Sequence, residues 1–211
     1  MRDTEKHAAA DALADAERSR RFQELMLPHL DAAYNLARWL SGSASDADDI
    51  VQETFMRAFR FFDSFHGERA RPWLLAIVRR TWYTEWDRRT SSLEVAQLDD
   101  EFDDLAMEES SAAFADPQAL LLRAESTRIV HKALAQLPVE FREVLILREL
   151  EEMSYREIAI VADLPVGTVM SRIARARQKL AASLQTFCEH NVPETSPGAG
   201  HPIAKEAPDG L

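Results

Sequence analysis

The chain has 211 residues, a formal net charge of −11, a hydrophobic fraction of 46% and a single cysteine, Cys188. One cysteine excludes a disulfide framework and any multi-cysteine zinc site. No apolar run approaches the ~18 residues of a membrane span. The N-terminus lacks the apolar core of a secretory signal, so a cytoplasmic protein without membrane insertion is expected. Only six glycines are present, and apolar residues recur every three or four positions, which predicts an all-α fold.

Charge is sorted along the chain. Nine acids and no Lys or Arg lie between Glu94 and Asp116, whereas residues 165–182 hold four basic residues and no acid. The overall balance therefore says little about what each half binds.

Residues 1–17, rich in Ala and charge, carry no strong apolar stripe and are expected to be an unstructured leader. A helical pattern runs over residues 18–40 through Phe22, Leu25, Leu30, Leu36 and Leu40, interrupted at Pro28. Ser45 or Asp46 is suited to cap the next helix. That helix buries Val51, Phe55, Ala58, Phe59 and Phe62 and presents Asp49, Gln52, Glu53, Arg57 and Arg60. A charged loop follows over residues 63–71, and Pro72 suits the first turn of a third helix reaching residue 89. Arg79, Arg80, Arg88 and Arg89 alternate there with Trp82, Tyr83 and Trp86. Cations for backbone and rings for unstacked bases are what single-stranded DNA requires. Trp73, on the same helix, reads as core.

Residues 91–116 form an acidic, flexible linker, about 27 residues counted from Thr90, which reaches at most ~90 Å when extended. Helices are predicted over 117–136, 138–150 and 155–161, the last capped by Ser154. After the turn Ala162-Asp163-Leu164-Pro165 comes a long helix over 166–187. Residues 188–211 are rich in Pro and Gly and are expected to be a disordered tail.

Residues 154–180 have the form short helix, tight turn, longer helix. On the longer helix Val169, Ile173, Ala176 and Leu180 make one buried stripe. Thr168, Ser171, Arg172, Arg175 and Lys179 share the adjoining face. A DNA-reading helix needs that division, with one side packed and the other offered to phosphates and base edges in the major groove. A solvated basic helix is the bland alternative, and the capped helix and proline-bearing turn in front favour DNA binding.

Three stretches carry a family resemblance: Leu137-Pro138 to Leu147-Arg148, Ser154-Tyr155-Arg156-Glu157-Ile158-Ala159, and Pro165-Val166-Gly167-Thr168-Val169-Met170-Ser171-Arg172-Ile173-Ala174-Arg175-Ala176-Arg177. They resemble region four of extracytoplasmic-function (ECF) sigma factors, which reads the minus-thirty-five promoter element. Asp163 stands where that family has Gly, Met170 where it has Lys or Arg, and Ile160 where it is polar. Asp46-Ala47-Asp48-Asp49-Ile50-Val51-Gln52-Glu53-Thr54-Phe55-Met56-Arg57-Ala58-Phe59-Arg60 is similar to the region-two helix.

The resemblance implies two small helical domains, region two over 18–90 and region four over 117–187. It implies that Asp49, Gln52 and Glu53 dock on the clamp helices of the largest subunit of core RNA polymerase, and that region four meets the polymerase flap. Arg79, Arg80, Trp82, Tyr83, Trp86 and Arg88 would open the minus-ten element, with Arg80 where relatives carry Asn. The linker would thread the polymerase cleft. Promoter DNA and an anti-sigma factor are the other implied partners. No metal-spaced histidine pair, phosphate loop or nucleophile motif is present, so no cofactor, metal or enzymatic activity is expected. A conventional helix-turn-helix regulator would leave the region-two match unexplained. A sigma-mimicking adaptor would have no use for the basic face.

Overall fold

The computed structural model describes the backbone of residues 2–67, 69–91 and 117–190, with side chains described over 12–67, 69–91 and 126–187. Among the described residues the regular structure is helical: α1 (Arg2–Met26), α2 (Leu30–Ser41), α3 (Ala44–Arg60), α4 (Ala70–Ser91), α5 (Pro117–Ala135), α6 (Val139–Glu149), α7 (Tyr155–Ala162) and α8 (Val166–His190). The expected linker beyond Ser91, the expected tail beyond His190 and the Cys188 side chain lie outside the described residues.

The first four helices pack around one another. The side chains of Phe22 and Met26 in α1, Ala33, Leu36 and Leu40 in α2, Ile50, Val51 and Ala58 in α3, and Leu74, Leu75 and Val78 in α4 are all buried. Phe22 meets the rings of Phe55, Phe59 and Phe62 edge-on at centroid distances of 6.2, 5.1 and 5.3 Å. Pro28 imposes a 3-10 turn between α1 and α2 rather than a simple kink, consistent with its missing amide. Gly42, at φ 75°, ends α2 in the left-handed conformation that glycine adopts without steric cost.

Two expectations are corrected here. Helix α1 begins at Arg2, so the stretch expected to be an unstructured leader is helical. Its alanines favour helix intrinsically, and the absence of an apolar stripe leaves residues 12–17 exposed rather than unfolded. The cap of α3 is Ser43, not Ser45 or Asp46, and its hydroxyl accepts from the Asp46 amide at 3.3 Å.

The second group, α5 to α8, buries Val144, Leu145, Ile146 and Leu147 of α6, Ile158, Val161 and Ala162 of α7, and Val169, Ile173 and Ala176 of α8. Ser154 caps α7 as expected and forms a reciprocal capping box with Glu157. These hydrogen bonds from Ser154 hold the Glu157 carboxyl below the usual range. Asp163 turns the chain at φ 54°, ψ 52°, a conformation Asp tolerates. The two groups are not separate in space: α4 packs on α7 and α2 on α6, and one cluster of buried side chains runs through both.

Removing the cap with Ser154→Ala should cost about 1 kcal/mol in urea unfolding. Ile173→Ala, which empties a site 1% exposed, should cost about 2–5 kcal/mol. Equal losses for the two variants would contradict this account of the helix-turn-helix.

Candidate nucleic-acid interface

Helix α8 is positioned by its buried stripe, which turns the remaining residues outward. Ser171, Arg175 and Lys179 are exposed, while Thr168 and Arg172 are half-buried. The Ser171 hydroxyl donates to the Thr168 carbonyl at 3.0 Å, and the Lys179 ammonium lies 5.5 Å from the centroid of the Phe141 ring. Arg177 points away from this face and pairs with Glu149 at 2.5 Å.

On α3, Asp49 and Gln52 are exposed and Glu53 receives the Arg57 guanidinium at 2.6 Å. Met56, 59% exposed, stands four residues beyond Gln52 on the same helical face. Its four-residue spacing from Gln52 is the signal in the sequence that places it on this face. The surface is thus acidic and polar with one apolar side chain in it.

The residues expected to meet the minus-ten element divide. Arg80 and Arg88 are exposed, and Arg88 pairs with Glu85 of its own helix at 2.8 Å. Trp86 is partly exposed and stacks on Trp82 with centroids 5.5 Å apart. Trp82 itself, only 6% exposed, is a core residue in this arrangement, because it falls four residues after Val78 on the buried side of α4. Trp73 packs against Phe65 at 5.0 Å, in keeping with its reading as core. In the preceding loop, Phe62 and Phe65 are also buried.

Arg79, Tyr83 and Arg172 converge on one carboxylate. Glu143 of α6, 1% exposed, accepts from Arg79 Nε at 2.9 Å and Nη2 at 3.3 Å and from the Tyr83 hydroxyl at 3.3 Å. Arg172 Nη1 lies 3.8 Å from Oε1, the oxygen that accepts from Arg79 Nη2. Nearby, Glu151 receives Arg71 and the Asn35 amide, and Arg142 donates to the Trp39 carbonyl at 3.0 Å. Trp39 meets the His131 ring edge-on at 5.2 Å. Side chains read from sequence as facing DNA in two different helical groups therefore face each other across the junction. Glu143, an acid standing directly before the buried run Val144 to Leu147, is a signal available in the sequence.

Burial raises the Glu143 carboxyl above its usual range, with Arg79 opposing. Burial also acts against the Arg79 cation, but the Glu143 carboxylate outweighs it and the guanidinium is raised. The Tyr83 phenol is pushed up to about 12, first by burial and then by the Glu143 charge. A free phenol titrates near ~10. The Tyr83 hydroxyl thus contributes stability that is complete below that pH and lost as pH rises through about 12. In an alkaline absorbance titration one of the three tyrosines should ionise last, near pH 12. Glu143→Gln should bring that step down and Tyr83→Phe should remove it. An unchanged step in Glu143→Gln would show that the carboxylate does not reach the phenol.

Comparison with known proteins fits this geometry. Residues 25–92 match the family model for sigma-70 region 2, and residues 127–180 match that for sigma-70 region 4. The chain is 38% identical over 146 residues to the ECF RNA polymerase sigma-E factor of Escherichia coli K12, covering 67% of this chain and 75% of that protein. It is 32% identical over 173 residues to the ECF RNA polymerase sigma factor SigE of Mycolicibacterium smegmatis, covering 82% of this chain and 65% of that longer protein. Among solved structures it is similar to the sigma factor RpoE in complex with the anti-sigma factor NepR from Bartonella quintana. That match has a TM-score of 0.60 at 29% identity and covers 79% of this chain and 98% of that one. A second is CnrH in complex with the cytosolic domain of CnrY, at TM-score 0.55 and 28% identity, covering 83% and 94%.

Proposed function

Because this chain belongs to the extracytoplasmic-function sigma factors, we propose that it binds core RNA polymerase and directs it to the promoters of a signal-responsive regulon. The observation that carries this reading is the presence on one chain of both sigma regions, each with its exposed polar helix face intact. The polymerase performs the chemistry of RNA synthesis; this chain selects and opens the start site and is not itself an enzyme. Among the described residues no helix is long and apolar enough to cross a membrane.

In this reading Asp49, Gln52 and Glu53 dock on the clamp helices of the largest subunit, with Met56 adding apolar contact. Thr168, Ser171, Arg172, Arg175 and Lys179 read the upstream element, and region four contacts the flap. Arg79, Arg80, Tyr83, Trp86 and Arg88 act on the minus-ten element. Since Arg79 and Tyr83 are hydrogen-bonded to Glu143 and Arg172 lies 3.8 Å from it, use of both DNA surfaces requires the two helical groups to part. Polymerase docking supplies the free energy for that opening. Both solved relatives above are complexes, the Bartonella one with an anti-sigma factor, which supports an anti-sigma partner for this chain as well.

The test is co-purification with core polymerase followed by run-off transcription. Arg175→Ala should weaken upstream-element binding by about 1–3 kcal/mol if the contact is bidentate to a base, and should leave polymerase binding intact. A phosphate contact would instead weaken all sequences alike and flatten the salt dependence. Gln52→Ala with Glu53→Lys should abolish transcription from every promoter by loss of polymerase binding. If the Arg175 variant transcribes normally where the upstream element is needed, a sigma-mimicking adaptor becomes the better reading.

A further inference from the structure

The first two turns of α8 expose two apolar side chains, Val166 at 39% and Met170 at 52%. They stand four residues apart and therefore side by side on the helix surface. The core does not use them: in the same turns Val169 and Ile173 are 0% and 1% exposed and fill the packed side. Between them Gly167 has nothing within 4 Å of the position a Cβ would take, so the backbone can be approached closely there. Ser171 is exposed beside Met170, and exposed Arg175 lies on the next turn.

In a helix-turn-helix the N-terminal residues of the second helix are those that meet base edges. Val and Met side chains have no hydrogen-bond donor with which to hold a phosphate. The major groove offers one apolar group to such side chains, the C5-methyl of thymine. The neighbouring cation and hydroxyl suit phosphates and purine edges on either side. Unlike Arg172, whose guanidinium is directed at Glu143, Val166 and Met170 are exposed with the two helical groups packed together.

We propose that Met170, with Val166 beside it, is a specificity determinant of region four that reads thymine methyl groups in the upstream promoter element. This rests on the reading of region four as a DNA reader, and deepens it by naming the base feature recognised.

The experiment uses holoenzyme reconstituted from the full chain and a duplex library randomised across the upstream element. Selection should return at least one position with a thymine preference. Replacing that thymine by deoxyuridine deletes one methyl group and should weaken binding about fourfold, the effect of one buried methyl carbon. Met170→Ala should bind the thymine and uracil duplexes equally, with helix content unchanged by circular dichroism. Met170→Arg should move the preference at that position toward guanine, the partner of a bidentate arginine. The proposal is overturned if no thymine is selected, if uracil binds as well as thymine, or if Met170→Ala still discriminates them. A protein partner for the patch would give the second of those results. Scrambling the whole upstream element separates this failure from a broader one. If scrambling weakens binding while uracil does not, region four reads DNA by other residues; if scrambling also has no effect, its DNA-reading role falls.

Discussion

The buried carboxylate of Glu143 is the constraint on which the arrangement of this molecule depends. An ionised carboxylate taken out of water costs several kcal/mol unless cations and hydrogen bonds replace its hydration. Here the replacement comes from elements far apart in sequence: Arg79 and Tyr83 from α4, with Arg172 from α8 alongside. Neither helical group alone completes the site, so the acid is satisfied only while α4 lies against α6 and α7. Glu151 repeats the device on a smaller scale with Arg71 and Asn35. A buried ion pair is weak evidence of net stability, since an apolar pair of equal volume often does as well. Its consequence here is geometric: the partners have fixed positions, and separating them leaves charges that need water, DNA or another protein.

That geometry gives physical content to the proposed cycle. The surfaces assigned to the minus-ten and upstream elements share one counter-charge, so both are partly neutralised while the chain is closed. With a net charge of −11, the free chain repels a polyanion at long range, and only local patches attract it. Guanidinium groups directed inward weaken those patches further. Opening exposes Arg79 and Arg172 together and also exposes Glu143, which would repel phosphate if it stayed near the DNA. In the proposed reading, use of both DNA surfaces thus needs the helical groups to separate.

Much of this was legible in the sequence, for identifiable reasons. The Ser154 cap, the turn at Asp163 and the stripe Val169, Ile173, Ala176 and Leu180 are local features set by spacing and side-chain chemistry; the structure has the cap and the turn and buries the first three of the stripe, with Leu180 partly buried. Residues 2–17 are helical without an apolar stripe because alanine favours helix intrinsically, and such a stretch carries no periodic signal. Trp82 is buried in this arrangement, and because rings and arginines alternate on α4 the sequence cannot say which of them the fold turns inward. The junction was invisible for a deeper reason. Glu143 finds its partners 64 and 60 residues away, and no local pattern reports a contact made across an intervening linker.

In the proposed reading, a coupling between polymerase binding and DNA binding follows from these same contacts. If the closed form is favoured by a few kcal/mol, only a small fraction of free chains is competent for DNA, and apparent promoter affinity falls by that fraction. A partner that engages the α3 face and region four at a spacing the closed form cannot match gains nothing from closed chains and shifts the population toward open ones. A partner that grips both groups while they are packed does the reverse. Polymerase and an anti-sigma factor need not compete for one patch to be mutually exclusive. It is enough that each binds a different arrangement of α4 relative to α6 and α7, since the Glu143 and Glu151 contacts are made only in the packed one.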